Sequence, residues 1–366
     1  MFVCRPTLAK VLFAATASLS SLPAATAQIS PSATSSSAPL TKQQLLKNLD
    51  TDMAEVILLY DAIKGTPAVN LTPQDARQQF SPQDAAKIIA RGTGLAEAPL
   101  PVGSVIDGQT ILGRSGNQIP IRIYSPAGAG PFPVILYFHG GGFVIATIDT
   151  YDSSARALSK DANAIVVSVE YRKAPEYPYP AARQDAIDSY KWVTANIGTY
   201  NGISKQVAVA GESAGGNLAT EVTIAARNQD LQRPTHQLLI YPVTSSNTNQ
   251  PSNLLYTSSF LPLNTALLQY FFKFYVADPS QANDPGVAPL NANLRNLPPT
   301  TIIAAEEDPL VSDGQAYANK LNAEGNQVVY RLYRGTTHEF FGMGAVVSKA
   351  RAAEQFGAAR IAASFQ

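Results

Sequence analysis

Six short apolar runs, at 134–138, 165–169, 207–210, 238–241, 301–305 and 328–332, punctuate this chain. Helical stretches at 152–162, 181–197, 214–228 and 311–324 separate most of them. Runs without polar alternation suit strands buried on both faces, and strand–helix alternation is how a mostly parallel sheet is wound. Segments near 104–111 and 119–125 fit antiparallel edge strands. The expectation is an α/β domain over 101–366, with helices on both faces of one sheet.

The stretch 244–285 interrupts the alternation. Residues 245–253 are polar and loop-like, whereas 261–275 is apolar and aromatic, with Tyr270, Phe271, Phe272, Phe274 and Tyr275. Such a stripe is either an ordinary core helix or a cap piece lining an apolar acyl pocket. Before the first strand, Leu45, Leu49, Met53, Val56, Ile57 and Tyr60 recur at helical spacing and predict a helix over 41–64. A second helix is predicted after Ser81, a capping residue followed by Pro82 in the first turn. These helices, within 28–100, are further cap candidates.

The N-terminus reads differently. Arg5 and Lys10 precede an apolar, small-residue run over 11–25, and Ala25-Thr26-Ala27 supplies an A-x-A cleavage site. A signal peptide over 1–27 and a secreted or periplasmic protein are expected. Residues 28–40, rich in Ser, Ala and Pro, read as a linker. Cleavage after Ala27 would leave 339 residues (366 − 27) with 25 basic and 27 acidic side chains. It would also remove Cys4, the sole cysteine, and with it any disulfide, thiol nucleophile or cysteine-based metal site. The even charge balance argues against nucleic acid, and no later window is long and apolar enough to span a bilayer.

The chemistry is concentrated in two glycine-rich motifs. Gly211-Glu212-Ser213-Ala214-Gly215 follows an apolar run and opens an Ala/Gly-rich helix start. This is the G-x-S-x-G elbow, in which the flanking glycines permit a sharp strand-to-helix turn that holds a serine at its tip. The other motif is His139-Gly140-Gly141-Gly142. Backbone without Cβ atoms can approach a substrate and aim N–H groups at a developing oxyanion. Two donors are expected from Gly140, Gly141 and Gly142, with the amide of Ala214 as another. A phosphate-binding loop is the competing reading, but no G-K-[ST] follows.

A serine hydroxyl needs a base, and the base needs an orienting acid. Of three histidines, His139 opens the glycine loop and His236 lies before a strand with no acid near it. His338 follows the last strand, where a loop can reach the elbow, and is the expected base. The acid should lie between the serine and His338 in chain order. Asp308, at the end of the run 301–305 and followed by Pro309, is the choice; Asp313 and Glu307 are the alternatives.

These motifs, with Asp308-Pro309-Leu310, the His338 loop and the segment Tyr171-Arg172-Lys173-Ala174-Pro175-Glu176, resemble the hormone-sensitive-lipase-like family of α/β-hydrolase esterases. The resemblance spans roughly 75–366. It implies an α/β-hydrolase fold with an eight-stranded sheet and a helical cap, made by the N-terminal helices and the 244–285 insertion. It also implies hydrolysis of short acyl esters with no cofactor and no metal. Glu212 stands where the family commonly has Asp or Thr. The expected partner is a small-molecule ester, and a homodimer stays open. The same machinery would serve a deacetylase, lactonase or amidase. A non-catalytic ligand-binding protein on this scaffold would predict a broken triad, whereas every part is present.

Overall fold

The apolar runs become the interior of one eight-stranded sheet in the computed structural model, which describes residues 38–94 and 99–365. The expected signal (1–27) and most of the linker (28–40) lie outside the described residues. Four helices come first: α1 (Lys42–Asn48), α2 (Thr51–Ile63), α3 (Pro73–Ala76) and α4 (Pro82–Gly92). Two strands follow, β1 (Ser104–Leu112) and β2 (Gln118–Ser125). The chain then alternates through β3 (Phe132–Phe138), α5 (Asp152–Ala162), β4 (Ile165–Val169), α6 (Ala181–Asn196), β5 (Gly202–Glu212), α7 (Ala214–Asn228) and β6 (Gln237–Ile240). The insertion carries α8 (Pro251–Leu255) and α9 (Thr265–Tyr275). Last come β7 (Thr300–Glu307), α10 (Val311–Ala323), β8 (Val328–Thr337) and α11 (Ser348–Ala362).

The sheet order is β1-β2-β4-β3-β5-β6-β7-β8. β1 pairs with β2, and β2 with β4, antiparallel; every pairing from β4 to β8 is parallel. Successive side chains of a strand face opposite ways, so each buried strand feeds two cores. Val134, Leu136, Val209, Leu239 and Ile302 join a cluster on one face with residues of α6, α7 and α10. Ile135, Tyr137, Ala208, Leu238 and Ile303 join the other with residues of α5, α11 and the N-terminal helices.

Local signals hold where the chemistry is local. Ser81 caps α4 by accepting from the Asp84 amide at 3.2 Å, while Asp84 accepts from the Ser81 amide at 2.9 Å. The helix predicted over 41–64 is instead two helices. Its break falls at Leu49-Asp50, where the Asp50 amide donates to Gly335 O at 3.0 Å and Lys349 pairs with the Asp50 carboxylate at 2.6 Å. Tertiary partners at that point outweigh the continuous helical spacing.

The N-terminal helices and the insertion meet. Leu45, Met53, Val56 and Ile57 share a buried cluster with Tyr256, Phe260 and Leu261. Leu40 N donates to Leu255 O at 3.1 Å, and Tyr270 Oη to Leu71 O at 3.2 Å. Arg77 ties the unit to the domain through Val144 O and Ala174 O, both at 2.8 Å, and Glu176 at 2.6 Å.

Candidate active site

Five parallel strands deliver the chemistry-bearing residues at their carboxyl ends, where ligands bind in open α/β sheets. β3 runs into His139 and the glycine loop, β5 into Ser213, β6 into Tyr241, β7 into Asp308 and β8 into His338. All five residues stand one position past the end of a strand, so the sheet itself fixes their positions.

Ser213 sits at φ 56°, ψ −117°, backbone that a residue with a Cβ rarely adopts. A Cβ on Gly211 would lie closer than 3.0 Å to Gly215 O, and one on Gly215 equally close to Phe138 O. The elbow thus needs both glycines for close backbone approach, to itself and to β3. Ala214 is the first residue of α7, so its amide has no partner within the helix.

His338 and Asp308 come together. The imidazole Nδ1 lies 2.7 Å from Asp308 Oδ2, and Oδ1 of that carboxylate accepts from the Leu310 amide at 2.8 Å. Asp308 is 0% and His338 2% exposed. Burial pulls the imidazole pKa down, but the charge and hydrogen bond of Asp308 outweigh it, so the net shift is upward. The Tyr241 ring packs 4.4 Å from the imidazole.

The alternative acids have other surroundings. Asp313 is buried and accepts from the amides of Thr244 (3.1 Å) and Ser245 (3.0 Å) and from the Gln250 side chain. It anchors the start of the insertion, and burial pushes its carboxyl up to about 7. Glu307 is buried with Oε2 unpartnered, also raised by burial to about 7. Neither bonds to His338 among the described residues.

In the glycine loop, Gly141 and Gly142 have φ of +102° and +59°. Their amides donate to no main-chain carbonyl among the described residues, whereas Gly141 O accepts from Val144 (3.0 Å) and Ile145 (2.9 Å). Gly140 packs where a Cβ would meet Tyr151 Oη and Glu212 O. From below, Tyr171 Oη donates to His139 O (2.9 Å) and Gly140 O (3.1 Å). Arg172 beside it grips the buried Asp185, with Nη2 to Oδ1 at 2.8 Å and Nε to Oδ2 at 2.9 Å. From above, Phe271 covers Gly142, and Tyr275 stacks on Phe143 with centroids 3.7 Å apart. Such a ring pair adds about 0.5–1.5 kcal/mol beyond area burial.

His139 is fully buried, bonded through Nδ1 to Gly140 O at 2.7 Å and stacked on Tyr171. Burial lowers it to about 4, so it braces the loop as a neutral ring. His236 bonds Thr301 Oγ1 at 3.0 Å, at the opposite ends of β6 and β7.

Sequence reasoning passed over a cluster behind the elbow. Glu212 is fully buried and accepts from Tyr137 Oη at 2.5 Å and from Tyr241 Oη; burial pushes its carboxyl up to about 8. Tyr151 Oη donates to Glu339 at 2.5 and 2.7 Å. Glu339 adjoins His338 in the chain, the single local hint of its place; the tyrosines arrive from distant segments.

Three comparisons bear on kinship. A family model described as alpha/beta hydrolase fold matches residues 135–342. An ethyl acetate hydrolase of Pseudomonas putida is 32% identical over 312 residues, covering 83% of this chain and 95% of that protein. Carboxylesterase NlhH of Mycobacterium tuberculosis is 37% identical over 250 residues, 67% and 78% of the two chains. An esterase structure from Pyrobaculum calidifontis superposes with a TM-score of 0.77 at 34% identity, over 86% of this chain and 98% of that one. With the elbow, the glycine loop and the eight-stranded sheet in place, this chain belongs to the α/β-hydrolase family, in its hormone-sensitive-lipase-like branch.

Proposed function

We propose that the protein is a serine carboxylesterase that hydrolyses short- to medium-chain acyl esters through an acyl-enzyme. The observation that carries the reading is the buried His338–Asp308 pair, 2.7 Å apart, at the sheet end that also presents the strained Ser213. In this scheme Ser213 Oγ attacks the ester carbonyl while its proton passes to His338 Nε2. Asp308 holds Nδ1–H and stabilises the imidazolium. The oxyanion accepts from amides of the loop 140–142 and from Ala214 N, which cost no reorganisation because the backbone already fixes them. His338 then protonates the departing alkoxide. A water attacks the acyl-enzyme by the same route, and Ser213 is regenerated.

Relatives named as an ethyl acetate hydrolase and a carboxylesterase support the ester class. Phe143, Phe271 and Tyr275 crowd the space beside Gly142, which favours a short acyl group. The test is p-nitrophenol release from acetate through long-chain esters by the parent and by Ser213→Ala. Equal turnover by both would refute the assignment.

The segment 1–27 supports export from the cytoplasm, with cleavage after Ala27 and a secreted or periplasmic product. N-terminal sequencing of the mature protein from its producing cells tests this. An N-terminus upstream of residue 27 would refute it.

A further inference from the structure

The catalytic imidazole faces a second acid besides Asp308. Glu339 Oε1 lies 3.9 Å from His338 Nε2, on the side of the ring opposite the 2.7 Å contact between Nδ1 and Asp308. That carboxylate is fixed rather than free. Tyr151 Oη reaches both of its oxygens, at 2.5 and 2.7 Å, and its side chain is only 14% exposed. The backbone is fixed too. Glu339 holds φ at +69°, in the left-handed region, and Gln83 Nε2 donates to the carbonyls of Glu339 (3.0 Å) and Phe341 (2.8 Å). A long acidic side chain held in strained backbone beside a reacting nitrogen is where strain and function tend to coincide.

We propose that Glu339 is a positioning residue for ester hydrolysis: Tyr151 holds its carboxylate near His338 Nε2, so that the imidazolium formed there meets negative charge on both sides. The inference rests on His338 being the base of the proposed reaction. The ionisable groups around this pair come from every element packed on it: Tyr151 before α5, Tyr60 on α2, Glu212 at the elbow, Tyr137 on β3, Tyr241 after β6 and Asp308 after β7. Glu212, raised by burial to about 8, is neutral near pH 7. Burial raises the Glu339 carboxyl as well, but the positive charge forming on His338 and the Tyr151 hydrogen bond both favour its charged form. The Tyr60 phenol, pushed up to about 12 by burial and then by Glu339, carries no charge.

The experiment is the pH profile of kcat and kcat/KM on p-nitrophenyl acetate, for the parent, Glu339→Gln and Glu339→Asp. An opposite charge at this range raises an imidazole by about one unit or more. Removing it in Glu339→Gln should move the acid limb of kcat/KM down by about one pH unit. It should lower the kcat plateau about 3- to 10-fold, since one unit is tenfold in proton affinity. KM should stay unchanged, and Glu339→Asp should recover part of both effects. Should the glutamine variant not fold, Glu339→Ser removes the charge with a smaller side chain and serves the same comparison. An acid limb coincident with that of the parent, or Glu339→Asp as defective as Glu339→Gln, overturns the proposal while leaving the hydrolase reading intact. A parent inert toward all esters defeats the hydrolase reading itself, and this inference with it.

Discussion

Replacing Gly142 with alanine tests whether the cap helix α9 braces the oxyanion loop. Gly142 sits at φ +59°, where a residue with a Cβ pays about 1–2 kcal/mol. A Cβ there would also lie closer than 3.0 Å to three atoms of the Phe271 ring. One of these is Cγ, at the root of the ring, so rotation about the ring axis does not clear the overlap. Crowding of a packed interior costs about 1–3 kcal/mol. The loop should yield and displace its amides, and a lost oxyanion donor is worth about 3–4 kcal/mol, or 10²- to 10³-fold in kcat.

Phe271→Ala removes the crowding and leaves the backbone strain. The double variant Gly142→Ala/Phe271→Ala should therefore recover roughly 5- to 150-fold in kcat/KM over Gly142→Ala alone, the equivalent of 1–3 kcal/mol. The assay is initial-rate kinetics on p-nitrophenyl acetate for all four members of the cycle, with thermal melts to confirm folding. Residues in contact couple, whereas independent sites add. If the two single effects simply multiply, Phe271 does not bear on the loop and the cap has no hand in positioning the oxyanion donors.

Asp308→Asn preserves shape but loses the charge that orients His338, so kcat should fall on the order of 10⁴-fold with the fold retained. Asp313→Asn should cost kcat less than about tenfold yet lower the melting temperature, because Asp313 holds the Thr244 and Ser245 amides. The reverse ranking would show that the acid is misassigned. Asp185→Ala leaves Arg172 unpaired under the glycine loop and should cost about 3–5 kcal/mol in urea unfolding; a loss below about 1 kcal/mol refutes that account. Glu212 has a folded-state pKa of about 8 against an ordinary 4.5, so its contribution to stability is full below about 4.5 and drains away as pH rises to about 8. Glu212→Gln should flatten the fall of melting temperature across that window, and an unchanged slope would mean the carboxyl is not held protonated.

What could be read from the sequence divides along the line between local and distant causes. The apolar runs reported the strands because a strand buried on both faces has no polar face to show. The helix α5 began and ended at the expected residues, and Ser81 capped α4, because each boundary is set by neighbours in the chain. The break at Asp50 was invisible because its cause, Gly335, lies 285 residues away. β5 begins at Gly202, ahead of its apolar run, because Gly202 pairs with Phe132 on β3. The helix α11 showed no apolar run of strand type and stayed unread, although it covers one face of the sheet through Ala350, Ala353, Ala358 and Ile361.

The site follows the same division. Glu307, Asp308 and Asp313 are all buried acids within seven positions, and the sequence favours Asp308 only through its place at the strand end before Pro309. Only the turn after β7 decides, by pointing Asp308 at His338 while Asp313 turns to the insertion. The elbow serine and the glycine loop were legible because each needs special backbone, which glycine advertises. Phe271, Tyr275, Tyr151 and Glu339, to which the proposals above give acyl preference and the strength of the base, need no special backbone signature apart from the last. They reach the site from α9, from the turn before α5 and from the loop after β8, by packing alone. On the proposed reading, a glycine pattern reports the reaction class, while acyl preference and pH response rest on contacts that can change without touching any motif.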